Sequence, residues 1–419
     1  EYREVPGKFE LSVLLSRVTF PYLGLISLVA MLSGLLNARS RFAPGAFAPV
    51  LLNVVLIGGI VTGWYLRGET GDDRIVATAL AIAVSLAGVV QLAYMAWAAR
   101  RAGVRLALRL PRLTPEVRRL GALILPATFG AGIYQISQFV DTFFATRLPQ
   151  GSLTLLKLAD RLNQMPLGIV GIALGTAILP MLSRHIHGGD AREAQRLQGN
   201  AFEIATLLTF PAAVALAVCA PAFVTAFFVG GKFTEGDGAI MAQIVVALVC
   251  GLPAYVIVKI LNPGFFARED TRTPVWTALA ALVFNIALNL YVVQRFGIVG
   301  LAAATAASAS LNCLLLYAML HVRGWFHFTA RLGSRIARQA LASAAMGALL
   351  VWLMPRLAPY YGAGVLDRVW SLAVLVGAGG VAFFAAAWAL GALDKDLLAQ
   401  LRRRRPPRTK ADDEILEVE

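Results

Sequence analysis

The sequence predicts an all-α, polytopic integral membrane protein with about eleven transmembrane helices. Three observations predict it. Hydrophobic residues make up 58% of the 419 and charged residues only 15%, with a mean hydropathy of +0.69; soluble domains carry about 25% charged residues. Apolar stretches of about 20 residues, the length that crosses a bilayer as helix, recur along the chain. The basic residues sit in short tracts between those stretches, which is how inner-membrane topology is encoded. The net charge of +14 is therefore read as a topology signal, with no nucleic-acid partner.

The expected spans are 18–38, 46–66, 75–98, 120–146, 152–183, 201–229, 238–258, 274–294, 297–320, 339–355 and 369–393. The junction Gln294-Arg295-Phe296-Gly297 leaves room only for a very tight turn. Segments after the odd-numbered spans carry 26 Lys and Arg, against 10 on the other side. The positive-inside rule then places the C-terminal tail, with Arg402 to Arg405, Arg408 and Lys410, in the cytoplasm. The tract Arg100 to Arg119 is expected there too. It is read as a topology signal, the competing reading being a surface segment in which Leu106, Leu108 and Leu110 lie on anionic headgroups. Residue 1 falls outside, and Glu1 to Lys8 reads as the middle of a loop. An odd number of spans is expected upstream.

Two eleven-residue segments resemble each other. Gly34 to Pro44 and Gly264 to Pro274 each run from Gly to Pro with two Arg between. Each follows a span with a Pro (Pro21, Pro253) and leads into a span with an Asn (Asn53, Asn285). Internal repeats are common in transporters. The expected organisation is a second half of one lobe over 1–119 and a complete six-span lobe over 120–330. An extra helix pair over 331–394 and a charged tail over 395–419 complete it.

Cys219, Cys250 and Cys313 fall in apolar segments without a CxxC pair, so each is expected to be a small buried hydrophobe. His185 and His187 lack a third ligand in view, so no metal is expected. No phosphate-binding glycine loop or nucleophile elbow is present; no enzyme and no cofactor are expected. Arg17 and Lys259, at span edges, are expected to snorkel to the interface. Gly171 and Gly175 form a GxxxG, a close-contact signal for helices.

Charged residues inside spans are costly and mark function, and they concentrate in the hairpin of spans 4 and 5. Tyr134, Gln138 and Asp141 share one helical face, as do Lys157, Asp160, Arg161 and Gln164. Arg161 lies about 14 Å into its segment at 1.5 Å per residue. Facing a cavity, its planar fork suits a phosphate. The competing reading is that Asp141, Lys157, Asp160 and Arg161, whose charges sum to zero, neutralise one another between helices. Asp141 and Asp160 are also candidate proton or cation sites.

At this hairpin the chain resembles the MurJ (MviN) lipid II flippase family. The matching residues are Gln135 to Gln138, Phe143 to Ala145, Ala159-Asp160-Arg161-Leu162 and Pro166 to Pro180. They continue in Phe20-Pro21-Tyr22, Arg41-Phe42-Ala43, Ala46 to Pro49, Gly231 to Thr234 and Pro263 to Arg268. The resemblance implies fourteen spans in two six-helix lobes plus a terminal pair, within a superfamily of multidrug exporters and polysaccharide flippases. It implies translocation of lipid II, the undecaprenyl-pyrophosphate-linked peptidoglycan precursor, from the cytoplasmic to the periplasmic leaflet by alternating access. A central cationic cavity would bind the head, and a groove at the last two spans the polyprenyl tail. The family's cavity arginine falls on Arg161, beside Asp160; its other key arginines lie in spans upstream of this chain. Lipid II and membrane lipids are the expected partners, with cell-wall synthesis or division proteins as further candidates. The alternatives are a cation-coupled multidrug exporter or polysaccharide-lipid flippase, a polyprenyl-dependent glycosyltransferase, and a non-transporting scaffold.

Overall fold

The computed structural model describes residues 7–37, 39, 41–104, 132, 135–361 and 364–392. Tyr134, the basic tract beyond Val104, most of span 4 and the C-terminal tail lie outside the described residues. Among those described, the chain is helical without a strand; only an isolated bridge joins Gly230 and Phe233. The chain divides into two compact units, Glu1–Leu120 and Gly121–Glu419.

The first unit holds α1 (Lys8–Thr19), α2 (Pro21–Asn37), α3 (Ala43–Arg67) and α4 (Asp73–Arg101). The expected span 18–38 is thus the second part of a longer helical stretch, Lys8–Asn37, which breaks where Pro21 has no N–H to give. Helices α3 and α4 pack closely because Gly59 and Gly63 face alanines. A Cβ at Gly59 would meet the Ala83 Cβ at 2.4 Å, and one at Gly63 would meet the Ala79 Cβ at 2.9 Å. This small-xxx-small seam is a lipid-phase device. The buried Gln91 closes the α3 contact by donating to the Ala48 carbonyl at 2.8 Å.

The second unit begins with α5, over residues 135–145. Then come α6 (Ser152–Pro166), a π-helical segment Leu167–Ile172, and α7 (Ala173–His187). The expected span 152–183 is therefore one helical run with a π interruption, and it starts where Pro166 breaks the ordinary hydrogen-bond ladder. Helix α8 (Ala191–Phe228) is capped by Asp190, which accepts from the Glu193 N–H. Thr234 and Asp237 form a capping box at the start of α9 (Glu235–Val249). After a break at Cys250-Gly251 the chain resumes as α10 (Leu252–Phe266). A Cβ at Gly251 would meet Ala306 at 2.8 Å, so only glycine admits that approach.

Helix α11 (Arg272–Val322) spans 51 residues but reverses at Gly297, whose φ of 55° and ψ of −135° are non-helical. Its two arms lie antiparallel. Ser308 Oγ donates to the Ala281 carbonyl at 2.7 Å, and Val292 lies against Gly300. The tight turn expected between 294 and 297 is this reversal. Helices α12 (Ala330–Tyr361) and α13 (Val365–Ala389) close the chain. Eight helical stretches among the described residues are long and apolar enough to cross a membrane, and α11 supplies two crossings from one of them. Arg147, Arg295 and Arg356 each stack on an aromatic ring one turn earlier (Phe143, Tyr291, Trp352). That pairing seats an amphipathic cation at a span end.

Candidate functional site

Helix α6 is two-sided for a simple reason. Leu155, Leu156, Ala159 and Leu162 recur at helical spacing and are buried, mostly against α9. Lys157, Asp160, Arg161 and Gln164 are left on the uncovered face, with Lys157, Arg161 and Gln164 exposed and Asp160 half-buried. Asp160 accepts from Gln164 Nε2 at 2.5 Å. Lys157 Nζ donates to Gln138 Oε1 of α5 at 3.4 Å, a long and weak bond. Arg161 makes no ion pair among the described residues. The four hairpin charges thus do not neutralise one another by contact; Asp160 is drawn toward Gln164, and the Arg161 fork stays open.

Asp141 sits apart from that face. It is buried on α5 and accepts from Thr305 Oγ1 at 3.2 Å. Asn285 and Asn289 of α11 lie beside its carboxyl, and Lys157 contributes its charge. Both asparagines are fully buried, and Asn289 Nδ2 donates to Asn285 Oδ1 at 2.9 Å. Asp141 Oδ1, Asn289 Oδ1 and the Asn285 Nδ2 donor are buried without a hydrogen-bond partner. Unsatisfied buried oxygens are costly, and a carboxylate, a hydroxyl and amide oxygens together suit a hard cation. Among the described residues no three His, Cys, Asp or Glu side chains come together. Sequence reasoning noted Asn285 only as a repeat marker and missed Asn289 and Thr305. The i, i+4 spacing of two asparagines in an apolar span was the available signal.

Sequence reasoning also missed the one buried carboxylate of α8. Glu203, 3% exposed, receives two hydrogen bonds from Arg335 Nη1 of α12, at 2.8 and 2.9 Å. One turn on, Gln339 accepts from Thr206 Oγ1 at 2.7 Å. These bonds pin α12 to α8 below an apolar groove of about 250 Å³. Leu207, Ala215, Met346, Leu350, Gly379 and Phe383 line it, from α8, α12 and α13.

Lys259 lies on α10, seven residues before its end at Phe266, and its side chain is exposed. One expectation needs correction. Cys250 is exposed at the α9–α10 break, whereas Cys219 is buried and Cys313 half-buried.

The family model described as lipid II flippase MurJ matches residues 3–369. A probable lipid II flippase MurJ of Rhizobium meliloti (strain 1021) is 38% identical over 406 residues, covering 96% of this chain and 75% of the relative. One from Vibrio cholerae is 37% identical over 394 residues, covering 94% and 74%. Among solved structures, a lipid II flippase MurJ in an inward closed conformation superposes with a TM-score of 0.68 at 21% identity, covering 89% and 73%. An inward-facing multidrug resistance MATE family transporter of the MOP superfamily gives 0.67 at 14% identity, covering 77% and 75%. At these identities the structural likeness speaks for the fold.

Proposed function

The chain belongs to the lipid II flippase MurJ family, and from that premise we propose how its residues do the work. It is a multi-pass protein of the bacterial inner membrane that flips lipid II. The head of that substrate carries a pyrophosphate, and the open guanidinium of Arg161 is the group we assign to it. Lys157 stands one turn earlier, about 6 Å away at the β-carbons, a spacing that suits two linked phosphates. Asp160 is held by Gln164 and leaves the Arg161 guanidinium uncapped.

The oxygen cluster of Asp141, Asn285, Asn289 and Thr305 is the candidate site for a coupling cation or proton. It lies between α5 and both arms of α11, so occupancy would bias how those helices pack. The groove between α8, α12 and α13 is wholly apolar in its lining and is the candidate seat for the polyprenyl tail. The C-terminus is assigned to the cytoplasm on the distribution of Lys and Arg alone. In this reading the head passes from the cytoplasmic to the periplasmic leaflet by alternating access.

The observation that carries the assignment is Arg161, exposed on α6 and without an ion pair among the described residues. The test is a leaflet assay for lipid II in cells depleted of the native flippase. Arg161→Ala is expected to leave lipid II on the cytoplasmic side at unchanged protein level. Normal translocation by that variant refutes the assignment. A cell-wall defect absent altogether, with altered drug sensitivity instead, favours the exporter alternative.

A further inference from the structure

The motif Pro263 to Arg268 ends α10 in a way the transport site does not use. Gly264 is buried, and a Cβ there would meet Gln198 Nε2 of α8 at 2.7 Å, so glycine lets the end of α10 settle onto α8. Phe265 is fully buried, and its ring meets Trp325 edge-on at 5.9 Å between centroids. Two guanidinium groups flank that indole: Arg268 Cζ lies 4.7 Å from the ring centroid and Arg323 Cζ 4.8 Å. Arg268 Nη1 also donates to the Gly264 carbonyl at 2.6 Å.

The two arginines differ in how their charge is met. Arg323 is paired with Asp270 and donates from Nη2 to Thr273 Oγ1 at 2.8 Å. Asp270 is fully engaged there, since it also accepts from the backbone N–H groups of Arg272 and Thr273 and from the Thr273 hydroxyl. Glu269, next in sequence, is exposed with a φ of 60° and forms no ion pair among the described residues. Arg268 is half-buried and forms no ion pair among the described residues. Burial pulls its guanidinium below the usual arginine range. A partly desolvated cation held in place by a ring and a carbonyl, with no counter-charge, is incomplete without an anion. A planar fork of N–H groups fits a tetrahedral oxyanion.

We propose that Arg268, braced by Trp325 and Gly264, binds a phosphate oxyanion, of the class carried by an anionic phospholipid headgroup or by free phosphate. The site is built from the α10–α11 and α11–α12 connections and is independent of Arg161. The helix end supplies an apolar flank for a lipid: Phe266, the last residue of α10, is exposed.

The test uses the full chain purified in a neutral detergent and measures thermal unfolding against phosphatidylglycerol, phosphatidylcholine or inorganic phosphate. Phosphatidylglycerol is expected to raise Tm and phosphatidylcholine to leave it. A rise with phosphate alone identifies a soluble source and equally supports the site. Arg268→Gln is expected to abolish the rise, and Arg268→Lys to keep part of it. If Arg268→Gln responds like the parent, or phosphatidylcholine works as well as phosphatidylglycerol, the proposal fails. Should Arg268→Gln not fold, Trp325→Leu keeps the charge but removes the brace. Native mass spectrometry should then show fewer retained phosphatidylglycerol molecules, and an unchanged number overturns the site.

Discussion

Arg161 and Asp141 sit in the same hairpin yet ask different things of their surroundings. Arg161 is open, and its fork is what distinguishes it from lysine, so Arg161→Lys keeps the charge and loses bidentate geometry. A charge-assisted hydrogen bond contributes about 1.5–3 kcal/mol, so flipping by Arg161→Lys should fall on the order of 10–100-fold, short of the loss in Arg161→Ala. The leaflet assay reads both. Asp141 is buried with one oxygen unpartnered. Asp141→Asn removes the negative charge but keeps size, and it is expected to flatten the dependence of flipping on the cation gradient in reconstituted vesicles. Retained dependence moves the coupling site elsewhere. At Asp270 the sign of a pH effect follows from its bonds. Burial works against its ionisation, but the hydrogen bonds from Thr273 and Arg323 outweigh it and hold the carboxyl at about 2, below the ordinary 3.8. A depressed value means that the stabilisation is complete above about pH 4 and is lost as pH falls through 2. Asp270→Asn should remove that slope from an acid-unfolding curve.

Helix α12 is held on α8 by chemistry that lipid cannot replace. In hydrocarbon there is no hydrophobic force between helices, so packing and hydrogen bonds decide association. The Glu203–Arg335 pair is nearly all buried on the Glu side. Removing one partner strands the other, at a cost of about 3–5 kcal/mol. Glu203→Ala is therefore expected to destabilise the protein strongly in a detergent melt, and Glu203→Ala with Arg335→Met to recover most of that loss. Equal damage in single and double variants would mean the pair acts through something besides uncompensated charge. The α3–α4 seam works differently, by glycines that allow backbone approach at Gly59 and Gly63. Its GxxxG was not singled out in the sequence, whereas the one at Gly171 and Gly175 was.

Across the whole molecule, the reversal at Gly297 turns one 51-residue helical run into two crossings. Its φ and ψ belong to a region essentially reserved for glycine. Gly297→Ala is expected to cost about 1–3 kcal/mol, read as a lower Tm, with a larger effect for a β-branched residue. The apolar spans and this turn were legible in the sequence because crossing a bilayer imposes a length and a composition on every segment, independent of what the segment touches. The polar face of α6 was legible for a related reason: spacing along one helix sets which residues share a side. What only the tertiary structure decided was partnership. The meeting of Asp141 with Asn285, Asn289 and Thr305 joins residues as far as 164 apart, and Glu203 meets Arg335 across 132. Whether Arg161 was neutralised or open also waited on the fold, because two charges at helical spacing are near each other but need not touch. Sequence periodicity fixes direction within a helix; the register and facing of one helix on another come from packing, where small residues, buried amides and paired charges find or lack their counterparts.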